Sequence, residues 1–151
     1  MLIPSQSWQT HAAEKRESLL ASIPDGWKLS PEDFTKAKSQ RDNTGVVREH
    51  LEAAEALILA KDAPDIVSHL KDGTYSAVQV TTSSCKAAAI AHQIGNCLMK
   101  SSLTRPWNVA KALDAHFKET GTASGPLHNL PVSLKDQFRV KGVYTTMGYV
   151  G

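Results

Sequence analysis

The sequence predicts an α/β fold, with this chain carrying the leading helices and the first strands of a mixed sheet. Three observations point there. Helix caps and helically spaced apolar residues recur from Ser7 to Gly121. Gly125, Pro126 and Pro131 then break the chain into a loop. Beyond the loop, Val132-Ser133-Leu134-Lys135 alternates apolar with polar, as a half-buried strand does. Two short strands with nothing after them would leave unpaired edges, which folded proteins normally cover, so the pattern reads as an incomplete domain.

Ser5 or Ser7 caps a first helix running to about Ile23, where Pro24, Asp25 and Gly26 stop it; Trp8, Ala12, Leu19 and Ile23 form a broken apolar stripe. From Trp27 to Gly45 no period holds, and the stretch reads as a wrapping linker. Val46 to Lys61 is rich in Ala, Leu and Glu, which favours helix for part of its length. Asp62 and Asp65 open a short helix with Pro64 in its first turn, Ile66, Val67 and Leu70 facing inward, and Gly73 as its stop.

Ser76 and Gln79 form an S-x-x-Q capping box for a helix from Ala77 to Ile94, placing Val80, Ser84, Ala87, Ala88 and Ala91 near one face before Gly95. A strand from Tyr75 to Thr82 competes, because Val78, Val80, Thr81 and Thr82 are β-branched, but the alanine-rich continuation favours helix. Thr104 caps a last helix, with Trp107, Val109, Ala110, Leu113 and Phe117 at helical intervals and Gly121 as its end. After Lys135, a turn at Lys141 and Gly142 leads to a second extended segment, Val143 to Thr146.

Composition narrows the function classes. With 41% hydrophobic and 21% charged residues the chain is of the globular kind. Its 17 Lys and Arg are interspersed with 15 Asp and Glu, giving a net charge of +2 without a basic block, which argues against nucleic acid as a partner. No run approaches the length of a membrane span, and Met1 to Trp8 has neither a charged leader nor an apolar core, so no membrane partner and a cytoplasmic location are expected. Cys85 and Cys97 are too far apart for a C-x-x-C pair and are expected as reduced thiols.

His11, His50, His69, His92, His116 and His128 never fall at i, i+4, and no H-E-x-x-H occurs, so no metal is expected. Neither phosphate-cradling glycine motif is present, and no cofactor is expected. There is no G-x-S-x-G elbow; Ser83 and Ser84 sit inside a predicted helix as ordinary helix residues. Lys135, followed by Asp136, remains as the candidate catalytic residue. A lysine beside an aspartate is commonly a solvated ion pair. This lysine, however, ends a short strand entered through a Gly-Pro and a Pro turn, where a side chain can point into a cleft, and desolvation there would favour a neutral amine able to accept a proton.

The run Gly125-Pro126-Leu127-His128-Asn129-Leu130-Pro131-Val132-Ser133-Leu134-Lys135-Asp136, followed by Val140-Lys141-Gly142 and Thr145-Thr146-Met147-Gly148-Tyr149, resembles the lysine-bearing segment of the amidase signature family, and fungal acetamidases and general amidases in particular. Weaker likeness extends upstream through Asp65 to Leu70 and Cys85 to Asp114. The resemblance implies an amidase-type fold in which Lys135 is the base of a Ser, cis-Ser, Lys triad, drawing a proton through a bridging serine from a nucleophilic serine that attacks a small carboxamide. In the family both serines follow later in the chain than position 151, so the 151 residues alone are expected to be inactive.

The resemblance also divides the chain as the N-terminal portion of an amidase domain: leading helices and linker over 1–61, a helical part over 62–121, and the lysine-bearing strand motif over 122–151. Two departures stand out. Asn129 occupies the family's glycine position, where positive φ is expected and Asn is the least costly substitute. Leu98 to Trp107 reads unlike the family's acidic, phenylalanine-containing equivalent. The competing expectations are a helical interaction module, anchored by Trp8, Trp27 and Trp107, and a truncated product without selected activity. Oligomeric state is not legible in the residues.

Overall fold

A computed structural model describes residues 7–98, 104–143, 145–147 and 149. Seven α-helices are present among them: α1 Trp8–Ala21, α2 Pro31–Ser39, α3 Thr44–Glu49, α4 Ala53–Leu59, α5 Ala63–Lys71, α6 Ala77–Gly95 and α7 Thr104–Thr120. A single 3-10 turn, Asp25–Trp27, joins α1 to α2.

The central element is α6. Its start follows the sequence signal closely: the Ser76 Oγ accepts from Gln79 N at 3.0 Å, and the Gln79 side chain accepts in return from Ser76 N at 2.9 Å. Its end falls at Asn96, which takes a left-handed conformation with φ 48° and closes on His92 O at 2.8 Å. Lys38 from α2 donates to Ile94 O at 2.7 Å, neutralising one of the unpaired carbonyls of the last turn.

Because α2, α3, α4 and α7 all pack on α6, its buried side chains do not form one stripe. Ala77, Val80, Thr81, Ser83, Ala89, Ile90, His92 and Ile94 are buried, whereas Ser84, Ala87, Ala88 and Ala91 from the expected face are only half-buried. A single-faced reading fails for a helix that has neighbours on several sides. Ile90 and Ile94 pack with Ala37 of α2 and Val46 of α3. Nearer the start of α6, Val80 packs with Ile58 of α4 and Leu70 of α5. Each full burial of such an aliphatic side chain contributes about 1.5–3 kcal/mol.

The stretch expected to be a linker, Trp27 to Gly45, contains the whole of α2 and the first two residues of α3. The signal for α2 lies in its cap: Ser30 Oγ accepts from Asp33 N at 3.0 Å, Pro31 takes the first turn, and Glu32 and Asp33 face the helix's positive end. Only Ala37 is buried on α2, so no apolar period announces it. The helical region expected from Val46 to Lys61 is split into α3 and α4, and Glu55 restarts the chain by accepting from Glu52 N at 2.8 Å. Lys86 of α6 holds Glu55 in turn, at 2.7 Å.

Helix α5 forms as expected, with Asp62 Oδ1 accepting from Asp65 N at 2.9 Å and Leu70 only 2% exposed. Gly73 then turns with φ 77°, where an added Cβ would meet the Phe117 ring at 3.3 Å. Helix α1 is capped by Ser7; Ser5 lies outside the described residues, and no residue of α1 is buried. Thr104 is itself the first residue of α7, and the residues before it, 99–103, lie outside the description.

His92 ties α6 to the chain beyond it. Its Nδ1 accepts from Leu98 N at 3.0 Å, and the residue is 3% exposed. Burial holds its pKa below the ordinary 6.5, and protonation would also replace the acceptor with a donor facing a donor. Since the unfolded chain takes up this proton first, the stability due to neutral His92 is complete above about pH 6.5 and is lost as pH falls from there towards the lowered native value. The expected result is a melting temperature that declines from about pH 7 to 5.5, with His92→Gln flattening the decline. Identical slopes for the two proteins would exclude His92 as its source.

Candidate active site

The lysine-bearing loop starts from the end of α7, where Gly121 takes φ 66° and donates to Phe117 O at 2.8 Å. Two turns follow, closed by His128 N to Gly125 O at 3.3 Å and Leu130 N to Leu127 O at 3.1 Å. Two side chains seat these turns on the helices. His128 is 4% exposed, accepts at Nδ1 from Ser124 N at 3.1 Å, and sets its ring 6.0 Å from that of Phe117 on α7. Asn129 adopts φ 51°, and its Nδ2 donates to Ala77 O at 2.9 Å and to Thr81 Oγ1 at 3.0 Å, both on α6. The positive φ expected at this position is therefore present.

From Pro131 to Lys135 the backbone has no regular secondary structure, and no strand occurs among the described residues. The strand expected at Val132 to Lys135 is thus not formed: the alternation is in the sequence, but a strand needs a partner, and none is described here. Val132 is 79% and Leu134 61% exposed, and Ser133 and Lys135 are exposed as well, so neither side of the segment is covered. Of the second extended segment, residue 144 lies outside the description; Val143 follows the expected turn, closing on Val140 O at 3.0 Å with Gly142 at φ 78°.

Lys135 stands at the end of the exposed segment, where Phe138 N closes a turn on its carbonyl at 3.0 Å. Lys135 itself is exposed, so the described residues leave its side chain open to water. Its neighbour Asp136 reaches across the loop, with Oδ2 accepting from Thr146 Oγ1 at 2.8 Å and Thr146 N at 3.2 Å. The far end of the loop is held by Arg105 of α7, which donates to Lys141 O at 3.0 Å. Leu127, Phe138, Met147 and Tyr149 add to the exposed apolar surface of this region.

The remaining sequence candidates stay apart from Lys135. Ser83 is buried within α6 and donates to Gln79 O at 2.9 Å. No three His, Cys, Asp or Glu side chains gather among the described residues. Cys85 and Cys97 are both free; burial pushes the Cys85 thiol up, while Cys97 is exposed. Trp27 and Trp107, two of the three possible anchors of an interaction module, pack on each other at 5.3 Å, and only Trp8, at 65%, is largely exposed. Sequence reasoning passed over Asp114 of α7, whose carboxylate accepts from Ala77 N at 2.6 Å and Val78 N at 3.0 Å.

The sequence profile of the family described as Amidase matches residues 79–151, a span that runs through α6, α7 and the whole lysine-bearing loop. The acetamidase of Emericella nidulans is 41% identical over 152 residues, covering 96% of this chain and 26% of that protein. The chain belongs to the amidase family. An acetamidase of Aspergillus oryzae is 39% identical over 98% of this chain and 27% of its own length. Among solved structures, the amidase fold of this chain matches a fatty acid amide hydrolase with a TM-score of 0.82 at 28% identity, over 97% of this chain and 26% of the other. The chain spans about a quarter of the length of the curated amidases it matches. No described helix is long and apolar enough to cross a membrane.

Proposed function

We propose that Lys135 is the base of a Ser/cis-Ser/Lys hydrolysis of small carboxamides, in a product of which this chain is the N-terminal portion of an amidase domain. The observation that carries this reading is the lysine-bearing motif of Gly125 to Asp136, which departs from the family pattern only at Asn129, within a family match that runs from residue 79 to 151. Two of the matched relatives are named acetamidases, which favours a small amide over a peptide. In the proposed reaction a neutral Lys135 accepts a proton relayed from a serine hydroxyl; that serine attacks the amide carbonyl, the C–N bond breaks with ammonia leaving on the returned proton, and water then hydrolyses the acyl-serine to release the acid.

Both serines would come from chain outside these 151 residues, and the 151 residues alone would not turn over. The exposed apolar side chains of Val132 and Leu134 support the mixed sheet as their intended cover. On this reading the division into 1–61, 62–121 and 122–151 marks leading helices, a helical layer and the lysine-bearing strand. The two free thiols suit a cytosolic setting.

The test is ammonia release from acetamide and other short carboxamides by the native product carrying these residues, with its intact mass measured alongside. Turnover by a product heavier than 16.4 kDa is expected. A native product of 16.4 kDa that releases no ammonia would reduce the likeness to shared ancestry.

A further inference from the structure

We infer that Asn129 is a positioning residue that latches the lysine-bearing loop onto the start of α6. Both hydrogens of its side-chain amide are engaged, one on Ala77 O at 2.9 Å and one on Thr81 Oγ1 at 3.0 Å. Both partners belong to residues buried at 4% exposure or less, so these bonds lie where water competes poorly. Further along, the loop is also held to α7 by Arg105 on Lys141 O. Lys135 thus lies between one anchor six residues before it and another six residues after it.

A glycine at position 129 would adopt φ 51° more easily than asparagine does, but it could make neither bond. This chain has exchanged backbone freedom for a side-chain tether. Asp114 strengthens the same point from the other side, because its carboxylate holds the N–H groups of Ala77 and Val78 while Asn129 holds the Ala77 carbonyl. The latch is a statement about the loop, and its bearing on catalysis rests on the reading of Lys135 as the base.

The variant that separates a latch from a mere positive-φ turn is Asn129→Gly. Limited trypsin digestion of the native product should cleave after Lys135 and Arg139 about tenfold faster in Asn129→Gly, as expected for losing two partly buried hydrogen bonds, while cleavage at Lys15 and Arg16 in the exposed α1 stays unchanged. Asn129→Asp keeps the size but sets a carboxylate against Ala77 O. It should cleave as fast as the glycine variant at neutral pH, and Thr81→Val, which removes one acceptor, should fall between. Loop cleavage in Asn129→Gly equal to that of the parent, or protection retained in Asn129→Asp, would overturn the latch.

In a product that hydrolyses amides, Asn129→Gly should lower kcat several-fold with KM nearly unchanged, and an unchanged kcat would remove its positioning role. The protease result stands whether or not Lys135→Ala loses activity, so a failure of the latch and a failure of the base are told apart.

Discussion

Lys135→Ala in a native product that hydrolyses small carboxamides is expected to lower kcat by about 10²–10⁴-fold, the usual contribution of a positioned general base. The fold should be indifferent to the change, because Lys135 is exposed. Melting within about 2 °C of the parent is therefore expected alongside the lost turnover. Lys135→Arg should lose about as much, since a guanidinium keeps its charge and cannot act as a neutral base. Turnover within about tenfold of the parent for either variant would end the assignment of Lys135 as the base.

The largest stability effect is expected at Asp114. Its carboxylate reaches 37 and 36 residues back to accept from the first two N–H groups of α6, Ala77 at 2.6 Å and Val78 at 3.0 Å. Those donors have no partner inside their own helix, and the negative charge also faces the positive end of α6. Asp114→Ala leaves both without the carboxylate, one of them on Ala77 at 1% exposure, which should cost about 2–4 kcal/mol and lower the melting temperature by roughly 10 °C. Asp114→Asn retains one acceptor oxygen and should cost less. A loss below about 1 kcal/mol in the alanine variant would mean that Ser76 and Gln79 alone suffice to start α6.

Local chemistry made much of this fold readable. Ser76 with Gln79, Asp62 with Asp65, and the glycines at 73 and 121 each act within a few residues of themselves, and each marks its helix end correctly. Where the signal depends on distant partners, the reading failed. Helix α2 buries a single alanine, so its apolar period is too thin to see although its cap is plain. The face of α6 was misjudged because four other helices pack on it from different directions. The alternation of Val132 to Lys135 is a property of the residues, but a strand is a property of a pair.

Lys135 is proposed as the base through the motif around it, because a lysine beside an aspartate is ambiguous by itself. Asn129 was singled out for its backbone, and the left-handed φ followed. Its two bonds to α6 span 48 and 52 residues, and no local pattern encodes them. Asp114 escaped notice for the same reason.

The pairing of Trp27 with Trp107 gives the protein an optical partition. Trp8 stands 65% exposed on a helix without a buried residue, so its emission reports water whether or not the remainder is folded. The other two indoles pack tilted at 53° with centroids 5.3 Å apart; Trp107 is bonded through Nε1 to Thr82 of α6, and the backbone carbonyl of Trp27 is held by Gln93 of α6. Their shared signal depends on the start and the end of the central helix being in place together. The colour of the fluorescence thus divides into a constant solvent component and a component that registers the integrity of α6 with its flanking turn and helix.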